Sequence, residues 1–192
     1  MIILYPDKRL RQKCQPVERF DREVEKTAKI LEKELLVKDN GIGLAAPQIG
    51  RNQRIFALKD CFSSDNKLTI FVNPSIELHP EEKVYPTMIN NEGKEEEFLE
   101  GCLSLPGLWG TVKRWLRIKI SWQAPVDQKL VRREETITGL TAVAFQHELD
   151  HLGGILFIDR VKEEKGRLFK VGKDGKREEI DLKTDKRILD SR

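Results

Sequence analysis

Apolar residues recur along this chain with two different periods. Within residues 20–41, Val24, Ala28, Leu31 and Leu35 follow one another at offsets of four, three and four. That spacing lines one face of a helix. Asp21 stands where an N-cap belongs, and the Asn40-Gly41 pair marks the end. "RIFAL" (54–58) and "LTIFVNP" (68–74) are short strand-like runs with a polar turn between them. "LRIKISWQA" (116–124) alternates as a strand, and "KLVRREETIT" (129–138) does so less cleanly. "GLTAVAFQHELDHL" (139–152) predicts a second helix, ended by Gly153-Gly154. Further on, "RLFKVGKDGKREEIDL" sets Asp174-Gly175 between two alternating runs, a hairpin signal. Two stretches resist assignment. "GIGLAAPQIG" (41–50) is too glycine-rich for a buried helix and too apolar for a solvated loop. Residues 77–97, with two prolines, an Asn-Asn pair and an acidic cluster, predict an exposed loop or irregular hairpin. Strands outnumber helices and do not alternate with them in βαβ order, so the expected class is α+β.

Composition narrows the setting. A chain of 192 residues favours one domain; residues 1–160 form the expected body, and 161–192 a charged C-terminal tail that is not a second domain. The formal net charge of +3 falls entirely in that tail, the body being balanced. A mildly basic tail points weakly to an anionic partner such as RNA, against the alternative of a merely solvated segment. No apolar run approaches the ~20 residues needed to span a bilayer. The start, "MIILYPDKRLRQ", places its apolar run before its charges, the reverse of a secretory signal. A cytoplasmic protein without a membrane partner is expected. Three cysteines, Cys14, Cys61 and Cys102, form no spaced framework; in a reducing compartment they stay free thiols unless a metal claims one.

The candidate chemistry lies in "QHELDH" (146–151). Residues four apart share one helix face, so His147 and His151 can turn two imidazoles toward one ion, with Glu148 beside it. This is the H-E-x-x-H pattern, in which the glutamate handles a proton. Only three histidines occur in the chain, and two sit here. The competing view, an ordinary amphipathic helix that carries two histidines, stands until a third ligand is found. Cys102, in "LEGCLSLPG", is the candidate, set between Gly101 and a Pro106-Gly107 turn. A thiolate and two imidazoles suit a divalent transition ion and leave a position open. Alone, Cys102 reads as a small buried hydrophobe, the usual fate of a free cysteine.

"GIGLAAPQ", "EGCLS" and "QHELDH", in this order, resemble the three motifs of the peptide deformylases, and the likeness runs from "YPDKRLRQKCQPV" through "GGILFIDR". The resemblance implies an α+β domain whose motif helix packs against antiparallel sheet. It implies Cys102, His147 and His151 as metal ligands, Glu148 as catalytic acid and base, and Gln48 with the Leu103 N–H as oxyanion donors. Ile42, Gly43, Leu44, Glu100 and Gly101 would line the substrate cleft. Leu140, Val143 and Ala144 would form the pocket for the first side chain, and Arg114 falls where the family has an arginine. The implied activity is removal of the formyl group from formylmethionine at the start of newly made polypeptides. One divalent metal per chain is implied, ferrous iron in the cell. The donors alone would make zinc the default, and nickel or cobalt also fit. The basic tail could meet the ribosome. Three features depart from the pattern: Leu99 where an acidic residue is frequent, Trp109 where the residue is often polar, and the long acidic 77–97 segment. A zincin-like protease would take its third ligand downstream. A structural metal site would need a fourth protein ligand, and a non-catalytic peptide-binding module would need neither Glu148 nor Gln48.

Overall fold

The computed structural model describes residues 1–38, 41–59, 68–80, 82–90, 92–172 and 176–181. Asn40, Cys61 and the Asp174-Gly175 pair, each given a role above, lie outside the described residues. The elements in order are α1 (Arg22–Leu36), β1 (Gly43–Ala45), β2 (Ile55–Lys59), β3 (Leu68–Leu78), β4 (Thr87–Ile89), β5 (Glu95–Glu97), β6 (Glu100–Cys102), β7 (Leu105–Gly110), β8 (Arg117–Val126), β9 (Lys129–Thr138), α2 (Gly139–Leu152), α3 (Phe157–Glu163), β10 (Leu168–Val171) and β11 (Arg177–Ile180). Every pairing between these strands is antiparallel. Mixed helix and antiparallel sheet is the class the sequence predicted.

The strands form a five-stranded sheet ordered β1-β2-β3-β8-β9, a four-stranded sheet ordered β11-β10-β7-β6, and the β4-β5 hairpin. The first sheet is buried on both faces where it carries the site. Ala45, Phe56, Leu58 and Phe71 turn to one side, against Ala142, Phe145 and Leu152 of α2. Leu44, Ile55, Ala57, Ile70 and Val72 turn to the other, against Val24, Ala28, Leu31 and Leu35 of α1. Successive side chains in a strand point to opposite faces, so β1 and β2 are apolar at consecutive positions. Phe145 meets Phe56 and Phe71 edge-on at 5.1 and 5.4 Å between centroids, a favoured aromatic geometry. It fixes α2 over the sheet. Asp21 accepts from the N–H groups of Glu23 and Val24 at the start of α1, as its capping position required.

Three differences from the sequence reading have local causes. β3 runs past Pro74 to Leu78, because the ladder to β8 slips between Val72 and Ser75 and a bulge tolerates proline inside a strand. Pro106-Gly107 lies within β7 and is not the turn; β6 and β7 connect through Leu103 and Ser104, and Gly107 adopts φ of 77°. α3 was not anticipated. It is only seven residues long, too short to display a helical period. Within 77–97, β4 pairs with β5, and Asn90 Oδ1 between them accepts from the N–H groups of Glu92 and Lys94.

Candidate active site

Cys102 ends β6 at the rim of the second sheet, whereas His147 and His151 sit one turn apart on α2. One sulfur and two imidazole nitrogens from these residues lie within 4.8 Å of one another. His151 Nε2 is 3.2 Å from Cys102 Sγ. His147 Nδ1 is engaged by Glu100 Oε2 at 2.8 Å, which leaves Nε2 to face the cluster. Burial would raise the Cys102 thiol, but the charges of His151 and His147 outweigh it and hold the group at about 5. Burial would lower His147, yet its bonds to the Cys102 sulfur and Glu100 lift it well above the ordinary histidine value. The sulfur thus favours its deprotonated form and the His147 imidazole its proton. A divalent cation takes the place of such protons on binding, and the soft-borderline donor set suits a transition ion. The residues fit a metal.

Glu148 follows His147 and is almost wholly buried. Its Oε2 has no hydrogen-bond partner among the described residues. Desolvation lifts its pKa to about 7 against the opposing pull of both histidines. Gly43 makes room for it: a Cβ at Gly43 would come within 2.7 Å of Glu148 Cδ. Gln48 approaches from the short 3-10 turn after β1. Its Oε1 accepts from the Ala45 N–H at 2.8 Å, so its Nε2 faces Ser104 Oγ at 3.1 Å and Cys102 Sγ at 3.5 Å. The Leu103 N–H, in the turn after Cys102, has no acceptor among the described residues.

Val143 is buried one turn before His147 and belongs to none of the apolar clusters, while Leu140 and Ala144 are half-buried beside it. Ile42 is also half-buried, packed on the α2 side of the sheet. The structure brings these to the site but not two others expected to line the cleft. The Leu44 side chain is fully buried on the α1 face, because alternation along β1 turns it away from Gly43. Glu100 is buried and clamps Arg114, Nε to Oε1 at 2.7 Å and Nη2 to Oε2 at 2.9 Å, besides holding His147. Burial opposes its ionisation, but the Arg114 charge and bonds keep its pKa at about 2. Its work is to orient His147. Arg114 also reaches Asp150 at 2.7 Å, and Arg160 closes on Asp150 at 2.6 Å. Ser104, Asp150 and Arg160 were missed in the sequence, where only proximity in space marks them. Cys14 is a buried core thiol, its pKa raised by burial to about 11.

A model of the polypeptide deformylase family matches residues 1–167. The chain is similar to the peptide deformylase of Desulforudis audaxviator (36% identical over 159 residues, 83% of this chain and 91% of that protein) and to that of Thermotoga petrophila (35% over 170 residues, 88% and 91%). Among solved structures, a peptide deformylase from Legionella pneumophila superposes with a TM-score of 0.68 at 33% identity, covering 83% of this chain and 84% of the other. One from Synechococcus elongatus, in complex with actinonin, gives 0.68 at 31%, covering 83% and 77%.

Proposed function

The chain belongs to the polypeptide deformylase family, metal-dependent hydrolases that remove the formyl group from formylmethionine, and on that premise we propose how its own residues divide the work. Cys102, His147 and His151 hold one divalent ion, in the cell ferrous iron, with zinc, nickel or cobalt compatible with the same donors. When bound, the ion supplies Lewis acidity that makes water nucleophilic near neutral pH. The carrying observation is Glu148: a buried carboxyl whose Oε2 has no hydrogen-bond partner among the described residues, beside the three-donor cluster. It takes the proton of the attacking water and returns it to the departing amine. A carboxyl that titrates near neutrality accepts and releases a proton with little penalty in either direction. Charge that grows on the formyl oxygen is met by Gln48 Nε2 and the Leu103 N–H. One such donor is typically worth about 3–4 kcal/mol.

β1 and β6 are both edge strands and both border the cluster. In β1 the Lys59 N–H donates to Ile42 and the Ala45 N–H to Gln48. Alternation in an antiparallel ladder therefore turns the Gly43 peptide groups to the free edge. An extended formyl peptide docks there by main-chain bonds and turns its first side chain toward Leu140, Val143, Ala144 and Ile42. The Gly101 backbone lies on the opposite wall. Such an apolar lining suits the flexible thioether of methionine. No helix among the described residues is long and apolar enough to cross a membrane. A cytoplasmic enzyme meeting nascent chains, with the basic tail toward the ribosome, agrees with the charge distribution.

The test is formate release from formyl-Met-Ala by protein purified without air, before and after metal removal by a chelator. Activity should vanish with the metal and return on adding ferrous or nickel ion. No release from metal-loaded protein would overturn the assignment.

A further inference from the structure

A row of residues crosses the four-stranded sheet at Gly101 and leads away from the metal cluster. Gly101 pairs with Trp109, Trp109 with Phe169, and Phe169 with Glu179. The neighbouring row, Glu100, Gly110 and Leu168, points to the opposite face, where Gly110 abuts Val161 of α3 and Leu168 is fully buried. Trp109 is therefore on the outer face. Its indole lies over Gly101, so close that a Cβ there would stand 2.8 Å from two atoms of the six-membered ring. It nevertheless remains 38% exposed. Phe169 is half-buried behind it, with the Arg167 guanidinium 5.3 Å from its ring centroid, and lies beyond the residues matched by the family model. A large aromatic left at the surface beside the strand that carries Cys102 has an ordinary explanation, a cover for the glycine backbone. That explanation leaves its outer surface without a use.

We infer that Trp109, backed by Phe169, receives the side chain of the residue that follows formylmethionine, and gives the enzyme a preference for an apolar and above all aromatic residue there. The inference rests on the docking mode of the preceding subsection. In an extended peptide along β6, the first side chain turns toward α2. The second must then turn the other way, onto the face where the indole covers Gly101. An aromatic contact of this kind changes binding by about three- to tenfold.

The test compares kcat/KM of the metal-loaded enzyme for formyl-Met-Phe-Ala and formyl-Met-Ala-Ala, with binding of the deformylated peptides followed by calorimetry. The phenylalanine peptide should be favoured by about three- to tenfold, through KM. Trp109→Ala should bring the ratio close to one, Trp109→Phe should keep most of it, and Phe169→Ala should reduce it. The ratio is independent of the fraction of protein that folds, so a destabilised variant still reports. An unchanged ratio in Trp109→Ala, or a wild-type enzyme indifferent to the second residue, would overturn the inference alone. Formate release from neither peptide would overturn the docking mode and the inference together.

Discussion

Gly43→Ala should separate the stability of the fold from the placement of its acid–base group. Gly43 does not adopt a positive φ, so alanine carries no backbone penalty there. What it meets is the Glu148 side chain: the new Cβ would stand 2.7 Å from both Cγ and Cδ, where ordinary contact begins at 3.4 Å. The carboxyl must retreat by nearly an ångström. Because the yielding atoms end a side chain and are not backbone, the cost to the fold should sit near the low end of overpacking, about 1 kcal/mol, or a melting shift of about 2–4 °C. The cost to catalysis should be larger, since a misplacement of about 1 Å can lower a rate by about a hundredfold. The assay measures kcat on formyl-Met-Ala, metal content and melting temperature together. In a Glu148→Ala background the same change should add little, because the group it displaces is gone. A Gly43→Ala enzyme within twofold of wild type would refute the claim that Glu148 needs its position against Gly43.

Arg114→Met leaves Glu100 buried without its cation and half-buried Asp150 with Arg160 alone; about 3–5 kcal/mol of stability should be lost, read as a lower urea midpoint. Against burial, the Arg114 charge holds the Glu100 carboxyl at about 2 in the folded protein, below its ordinary value of 4.5. Its contribution is therefore full above pH 4.5 and declines as pH falls toward 2, so the gap in stability between wild type and Glu100→Gln should be wider at pH 6 than at pH 2.5. In metal-free protein, the Cys102 thiolate should react with iodoacetamide at pH 6.5 while Cys14, its thiol raised to about 11, stays inert; bound metal should protect Cys102, and equal reactivity would remove the distinction. Gln48→Ala should lower kcat by about a hundredfold, and Ser104→Ala by much less, because Ser104 only steadies the amide.

The sequence made the periodic elements legible: the α1 stripe, the alternation of β8 and β9, and the histidine pair on α2. Short elements and rows that pair across long separations were not. β10 joins β7 across nearly sixty residues, and no local pattern announces that partner. The resemblance placed Leu44 in the cleft lining, and β1, buried on both faces, carries no polar alternation that would show its side chain turning toward α1. The resemblance placed Glu100 there as well, whereas the direction of its side chain is set by Arg114, brought alongside from the segment before β8. His147, His151, Glu148, Gln48 and Cys102 nevertheless converge, through elements whose patterns were clear or whose motifs were whole.

Glu148, as we propose, moves the proton and is not a metal ligand. The most direct test of that role is Glu148→Gln, purified without air, with bound metal and formate release from formyl-Met-Ala measured on the same sample. The variant should hold one metal per chain, as wild type does, and release formate at a rate lower by about a hundredfold or more. Loss of the metal, or formate release at the wild-type rate, would contradict the role.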